Sequence, residues 1–465
     1  MKSLLREQIT KLAGQDSHRF HMPGHKGRGA FSAVLDITEI EGADNLHDAH
    51  GVIRDAQESI AALYGSEHSF ILVGGSTAGN MAAVLAAGAP GVPMLVATNC
   101  HRSVFSALAL GRIDARFIDP VANDETGHAD VMTANIVRDA LDKHPDVGGL
   151  VMTSPGYFGN VSNVRAIAEL LHAQGKWLIV DEAHGAHLKF CKAPYAEDAV
   201  SAGADVVIHS AHKLLSTWNM GSLLHHRGTL IDVEVLSRYL TMLQSSSPSY
   251  PIMISVEEGV IEAAERGAEH FEAIAERHQE VYAAQDQNAN IKLYQPDDDY
   301  DYSKWLFLVA DGTGRALANR LQRNYGIFCE IEYPEHLLAM TGMGTTQADI
   351  DALLMAVSLS NYPLRKKEQQ LKREGFDMPS DNRLNQDVPL WQAVLPQKTE
   401  NLPLSECEGR VSAAFVMPYP PGVPALIPGD LISREMIDYI QDVINDGVTM
   451  VGLSNGLMPV LAKSF

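Results

Sequence analysis

Two residues near the middle of the chain have the types and spacing to work as a pair. Asp181 ends the apolar run KWLIV (Lys176–Val180) within VDEAHGAH (Val180–His187), and Lys213 follows the apolar run of DVVIHSAHK (Asp205–Lys213). A lysine amine can close a Schiff base on an aldehyde. A carboxylate can keep a pyridine nitrogen protonated, so that the ring accepts electrons from a carbanion. An acid at the end of one strand and a lysine just past the next are therefore what pyridoxal 5′-phosphate requires. Ligands of parallel α/β sheets collect at the carboxyl ends of the strands, where Asp181, Ser210, His212 and Lys213 all fall. Most lysines are solvated surface charges. Here Val206, Val207 and Ile208 precede Lys213 and Leu214 and Leu215 follow it, surroundings that depress an amine pKa.

A second segment, GGSTAGN (Gly74–Asn80), falls between an apolar strand and a small-residue helix. Glycines let a backbone approach an anion, Ser76 and Thr77 offer hydroxyls, and the small-residue helix MAAVLAAG follows. A helix N-terminus adds free N–H groups and a positive dipole. The segment reads either as a phosphate cup or as a tight turn capped by Ser or Thr. Ser210 and His212 could complete the phosphate shell from the other side. His101 opens a helix after another strand, where its ring could stack on a pyridine or serve a purely structural end. His184 and His187 stand three apart with no third ligand at a recognisable spacing and no HExxH, so no metal is expected. DEAH invites a helicase reading, but no GxxxxGK[ST] loop accompanies it.

Positioning these groups takes alternating strands and helices. The apolar runs Phe70–Val73, Met94–Ala97, Ala115–Ile118 and Gly149–Thr153 are each followed by a segment of helical period; Val164, Ile167, Leu170 and Leu171 share one face. Such repeats predict right-handed βαβ units and a mostly parallel sheet, hence an α/β fold. A long helix is expected from about Met253 to Gln287, leading to a smaller domain in which strands within KWLFLVA and GIFCEIE alternate with helices near 313–324 and 347–360. The division expected is an N-terminal arm at 1–65, a large domain at 66–290 and a C-terminal α+β domain at 291–465. Residues 1–20 read as an amphipathic helix rather than a signal peptide.

Composition sets limits. A chain of 465 residues with 46% hydrophobic and 20% charged residues suits a soluble protein of two or three domains. A net charge of −22 opposes a grip on nucleic acid or on an anionic membrane. No run of about 18 apolar residues is present, so no span is expected. Cys100, Cys191, Cys329 and Cys407 are widely spaced, as reduced thiols of a cytoplasmic protein would be.

With these residues in view, the chain resembles the ornithine/lysine/arginine decarboxylases in their short bacterial form. HMPGHKG, DITEIEGADNLHDAHGVI, the GST turn, NCHRSV, VDEAHGAH, SAHKLL, LQSSSPSY and YPPGVPALIPGD occur in the family's order over nearly the whole length. The resemblance implies an aspartate aminotransferase-like fold (fold type I): a three-layer αβα large domain and a smaller C-terminal domain. It implies that Lys213 carries the cofactor, that Asp181 pairs with the pyridine nitrogen and that His101 stacks on the ring. Ser76, Thr77, Ala78, Ser210 and His212 would hold the phosphate, Ala183 and His184 would line the opposite face, and Ser245 and Ser246 would reach the phosphate of a neighbouring subunit. Glu330 and Asp430 would face the distal charge of a basic amino acid. The implied activity is decarboxylation of lysine, arginine or ornithine by a homodimer or larger assembly, with Lys213 or His212 returning a proton to the α-carbon. The alternatives are transamination or an oxidative or biosynthetic step on a basic amino acid, or a non-enzymatic regulator that keeps the fold. Departures from the family's pattern fall at Gly74, at Asn219–Met220 and at Asp430.

Overall fold

The computed structural model describes residues 18–20, 43–123, 126, 129–286, 289–296, 299–310, 313–360, 387–395, 398–419 and 422–462. The HMPGHKG turn, residues 1–17 of the helix expected before it and the start of the DITEIEGADNLHDAHGVI stretch lie outside them; the end of that expected helix, His18–Arg19, is instead a short strand paired in parallel with Ile327–Phe328.

Seven strands make the central sheet: β1 (His68–Leu72), β2 (Met94–Ala97), β3 (Ala115–Ile118), β4 (Gly149–Thr153), β5 (Trp177–Asp181), β6 (Val206–His209) and β7 (Ser222–His226). Their order is β1-β7-β6-β5-β4-β2-β3. Strands β2 to β6 pair in parallel. β7 runs antiparallel between β1 and β6. The inner strands β2, β5 and β6 are buried at every position, as a sheet covered on both faces requires. At Gly149 an added Cβ would stand 2.2 Å from the Trp177 carbonyl, so β4 and β5 meet there only because the residue has no side chain.

Helices flank the sheet: α1 (Val52–Tyr64), α2 (Gly75–Ala87), α3 (Arg102–Gly111), α4 (Ala134–Lys143), α5 (Val164–His172), α6 (Val233–Leu243) and α7 (Tyr250–Ala284). The spacing of α5 is typical of them: Val164, Ile167, Ala168 and Leu171 bury one face, and Asn163 caps its N-terminus by accepting the Ala166 N–H at 3.0 Å. Strand side chains alternate between two cores. Leu72 and Leu224 join α2 to α6 on one side, while Ile71, Val73 and Leu223 join α1, α7 and the smaller sheet on the other.

That smaller sheet comprises β8 (Ile291–Leu293), β9 (Lys304–Val309), β10 (Ile331–Glu332) and β11 (His336–Met340), antiparallel in the order β8-β9-β11-β10. Helices α8 (Gly314–Tyr325) and α9 (Gln347–Ser360) pack against the same core. A third apolar cluster gathers Leu404, Val416, Leu426, Ile437, Ile440 and Val460 around helix α10 (Arg434–Asn445). Leu390 and Ile427 leave it to pack in the core of the large sheet, beside α3.

Candidate active site

The site is built at the carboxyl ends of β4, β5 and β6. Asp181, the last residue of β5, is buried. Its Oδ2 accepts from Asn80 Nδ2 at 2.7 Å, and its Oδ1 accepts from the Ala183 N–H at 3.1 Å. The same Asn80 amide donates to Ser103 Oγ at 3.1 Å, and Ser103 Oγ lies 2.8 Å from His101 Nδ1. His101 Nδ1 also accepts the Ser103 N–H, which caps α3 and leaves the ring proton on Nε2. One hydrogen-bonded string therefore runs His101–Ser103–Asn80–Asp181. Burial lowers the His101 pKa against the opposing pull of Asp181.

Lys213 lies in the short helix Ala211–Leu214 that follows β6. Burial pulls its pKa from 10.5 down to about 8, with the Asp181 and Glu330 carboxylates pushing the other way. Its Nζ is 2.8 Å from His184 Nε2 and 5.9 Å from the centre of the Tyr157 ring. The His184 ring lies 4.5 Å from that of Tyr157 at 57°. Burial, and then the Lys213 charge, hold His184 neutral. Tyr157 donates its hydroxyl to Glu330 Oε1 at 2.6 Å, so Glu330, from the smaller sheet's side of the molecule, joins the cluster through a tyrosine.

The residues of the expected phosphate cup meet at the start of α2. Gly74 occupies the cap position without a side-chain bond, and Gly75 adopts φ +73° with open space where a Cβ would stand. Ser210 donates its hydroxyl to Ser76 at 2.7 Å, joining the two halves of the cup. Thr77 is exposed and Ala78 buried. His212 donates Nδ1–H to the Gly221 carbonyl at 3.0 Å, and burial brings its pKa down to about 4. The departures at Asn219–Met220 and Gly74 lie against this cup: the Met220 carbonyl accepts the Gly75 N–H at 3.0 Å, with Met220 at φ +74°.

Three expected residues make no bond to the other site residues among the described residues. Ser245 and Ser246 are exposed, and His47 Nε2 donates to the Ser245 carbonyl at 2.7 Å. Asp430 is buried in its own turn, where Oδ2 accepts the Ile427 N–H at 2.8 Å and Oδ1 has no partner among the described residues. Burial raises its pKa to about 7. No bond joins it to Lys213 or Glu330 among the described residues.

Other members were not singled out from sequence. Asn80 and Ser103 lie inside GGSTAGN and NCHRSV, where only their partners drew attention. Tyr157 follows β4 in SPGYFG, and its place just past a strand's carboxyl end was the available signal. A buried ion group supports the loop after β5: Asp301 Oδ1 accepts from His187 Nε2 at 2.9 Å and Oδ2 from Lys304 Nζ at 2.7 Å, all three side chains wholly buried. No cluster of three or more His, Cys, Asp or Glu able to hold a metal occurs among the described residues.

The donor set fits pyridoxal phosphate. An uncapped helix start and two facing hydroxyls suit a phosphate, a buried carboxylate suits a pyridinium, and an amine titrating near 8 suits an aldehyde. Fold and site together define an α/β enzyme of the aminotransferase-like class. Residues 4–302 match the family model for the major domain of Orn/Lys/Arg decarboxylases, and residues 372–455 match that for their C-terminal domain. The chain belongs to the Orn/Lys/Arg decarboxylase family. It is 30% identical to an arginine decarboxylase of Bacillus subtilis, over 96% of this chain and 94% of that one. It is 31% identical to an arginine decarboxylase of Halalkalibacterium halodurans, over 96% and 95%. Among solved structures, the lysine decarboxylase of Francisella novicida superposes with a TM-score of 0.77 at 20% identity, covering 98% of this chain and 81% of that one.

Proposed function

We propose that this protein is a pyridoxal 5′-phosphate-dependent decarboxylase of a basic amino acid, lysine, arginine or ornithine. The observation that carries the reading is Lys213: an amine of lowered basicity, in contact with His184, at a strand end adjacent to the one that presents the buried Asp181.

Bound there, the cofactor would supply the electron sink for the pair released as the α-carboxylate departs as CO2. The chain's own residues do the rest. Lys213 would hold the cofactor until the substrate's amine takes its place and frees Nζ; Asp181, fixed by Asn80 and the Ala183 amide, would keep a proton on the pyridine nitrogen. His101 would line one face of the ring, and Ala183 and His184 the other. Ser76, Thr77, Ala78, Ser210 and His212 would hold the phosphate. The substrate's Cα–carboxylate bond breaks, its electron pair stays with Cα, and one proton replaces the lost group. We assign that proton to Lys213 Nζ, because an amine titrating near 8 holds it at neutral pH whereas His212, near 4, is already neutral. Glu330, positioned by Tyr157, is the carboxylate we assign to the substrate's distal cation. The buried Asp430 is the weaker candidate for that part.

The working unit we propose is a cytoplasmic homodimer or larger assembly in which the exposed Ser245 and Ser246 reach a neighbour's phosphate. All four cysteines are free thiols, and no helix among the described residues is long and apolar enough to cross a membrane. We divide the chain at 65 and 290, as an arm, a cofactor domain and a C-terminal domain. The test is CO2 release from each of the twenty amino acids with added pyridoxal phosphate, alongside the visible absorbance of the protein. One basic amino acid should release CO2 and give the matching diamine or agmatine; a keto acid without CO2 would refute the assignment.

A further inference from the structure

DEAH and DVVIH each contain a residue that the proposed reaction leaves unused. Glu182 follows Asp181 and His209 precedes Ser210. Both are buried, and His209 Nε2 lies 2.7 Å from Glu182 Oε2. The contact continues across the sheet: His209 Nδ1 to His225 Nε2 at 3.1 Å, His225 Nδ1 to Ser69 Oγ at 2.7 Å, and Ser69 Oγ to Ser66 Oγ at 2.9 Å. Pairing explains the line. Asp181 opposes Ile208 between β5 and β6, which brings Glu182 alongside His209; His225 opposes Val207 and also Ser69. A polar rung thus crosses β5, β6, β7 and β1 beneath the Tyr64 ring, whose centre is 5.1 Å from His209 and 4.3 Å from His225.

Burying an acid and two imidazoles in this way is costly unless each is bonded, and the arrangement has a geometric product. Both Glu182 carboxylate oxygens accept the Ala199 N–H, at 3.0 and 3.2 Å. The chain then folds back over this side chain: the Gly185 N–H donates to the Glu182 carbonyl at 2.9 Å, and a Cβ on Gly185 would stand 2.5 Å from Glu182 Cγ. Between those two residues the loop presents Ala183 to Asp181 and His184 to Lys213.

We propose that Glu182 is a positioning residue of the active site: held by His209 and the Ala199 amide, it is the post around which Ala183–His187 turns, and it thereby sets where His184 meets Lys213. This rests on Lys213 being the reacting amine of the proposed decarboxylase. Besides His184 and Tyr157, Lys213 faces Asp181, Glu330 and Lys304. Glu182 faces His209, Asp198 and Asp301. Release of His184 admits water to the amine and moves its titration upward, toward that of a solvated lysine.

The test uses the full chain freed of cofactor. The pH midpoint for reductive methylation of Lys213 is read by peptide mass spectrometry in wild type, His209→Gln, His209→Asn and Glu182→Met. Gln reaches the place of Nε2 and keeps the link to Glu182. Asn reaches the place of Nδ1 and keeps only the link to His225. Glu182→Met and His209→Asn should raise the midpoint by about one pH unit, while His209→Gln stays near wild type. If Glu182→Met does not fold, the two amides decide alone. Equal midpoints for the two amides, or a folded Glu182→Met with the wild-type midpoint, would overturn the proposal. Failure of wild type to release CO2 would strike the proposed reaction instead, since the methylation midpoint does not depend on it.

Discussion

Lys213 is nucleophilic only as a neutral amine, and burial brings that form within reach of physiological pH. Uptake of pyridoxal phosphate by the cofactor-free chain should accelerate with pH through about 8 and level off above, as stopped-flow absorbance would record. The stability consequence has a definite sign. Between about 8 and 10.5 the unfolded chain holds this proton and the folded chain does not, so Lys213 contributes a stability that rises with pH across that window. Lys213→Ala should abolish covalent attachment and reduce CO2 release by more than about 10³-fold, measured at saturating substrate. Asp181→Asn keeps the size but not the charge. Attachment at Lys213 should survive it, while turnover falls by on the order of 10³-fold. The proposed principal pair could be picked out because Asp181 ends one apolar strand and Lys213 lies four residues past another. Asn80 and Ser103 were not, since an amide and a hydroxyl inside a motif look alike whether they cap a helix or aim a carboxylate. Only the fold brings β5 beside the start of α2.

At the next scale, Asp44 shows how one side chain can secure the start of an element. Its carboxylate accepts the N–H groups of Asn45, His50, Gly51, Ile53 and Arg54 at the start of α1. Burial raises its pKa, but the backbone N–H bonds prevail and bring it to about 2. Tyr250 donates to the Asp44 carbonyl at 2.7 Å and so joins this turn to α7. Asp44→Ala should cost about 1–3 kcal/mol in urea unfolding. Because the pKa is depressed, the contribution is complete above the ordinary value of 3.8 and is lost as pH falls through about 2. The difference between wild type and variant should therefore narrow in acid. Strands β2, β3, β4 and β9 and helices α5 and α7 were readable from apolar period within a few residues. β7 and β11 escaped notice: SLLHH and HLLAM are short, carry histidines and lie between turns, and only pairing on both sides makes them strands.

For the molecule as a whole, the buried group of His187, Asp301 and Lys304 couples the loop after β5 to the smaller sheet. Removing one member leaves a charge without compensation. Asp301→Asn should destabilise the protein by about 3–5 kcal/mol in denaturant titrations, with Lys304 as the stranded cation. Nothing local in the sequence foretold the pairing of His187 with Asp301, 114 residues apart. The placement of β7 bears on when the site can come into being. It is the last strand of the large sheet in the chain, yet it lies between β1 and β6, the two strands whose ends present Gly75–Ser76 and Ser210–Lys213. A polypeptide still being synthesised should therefore be unable to bring the two halves of the cup together until residue 226 has left the ribosome. Capture of the proposed vitamin B6 cofactor should accordingly be a late event, and truncated nascent chains ending before β7 should be unable to retain it.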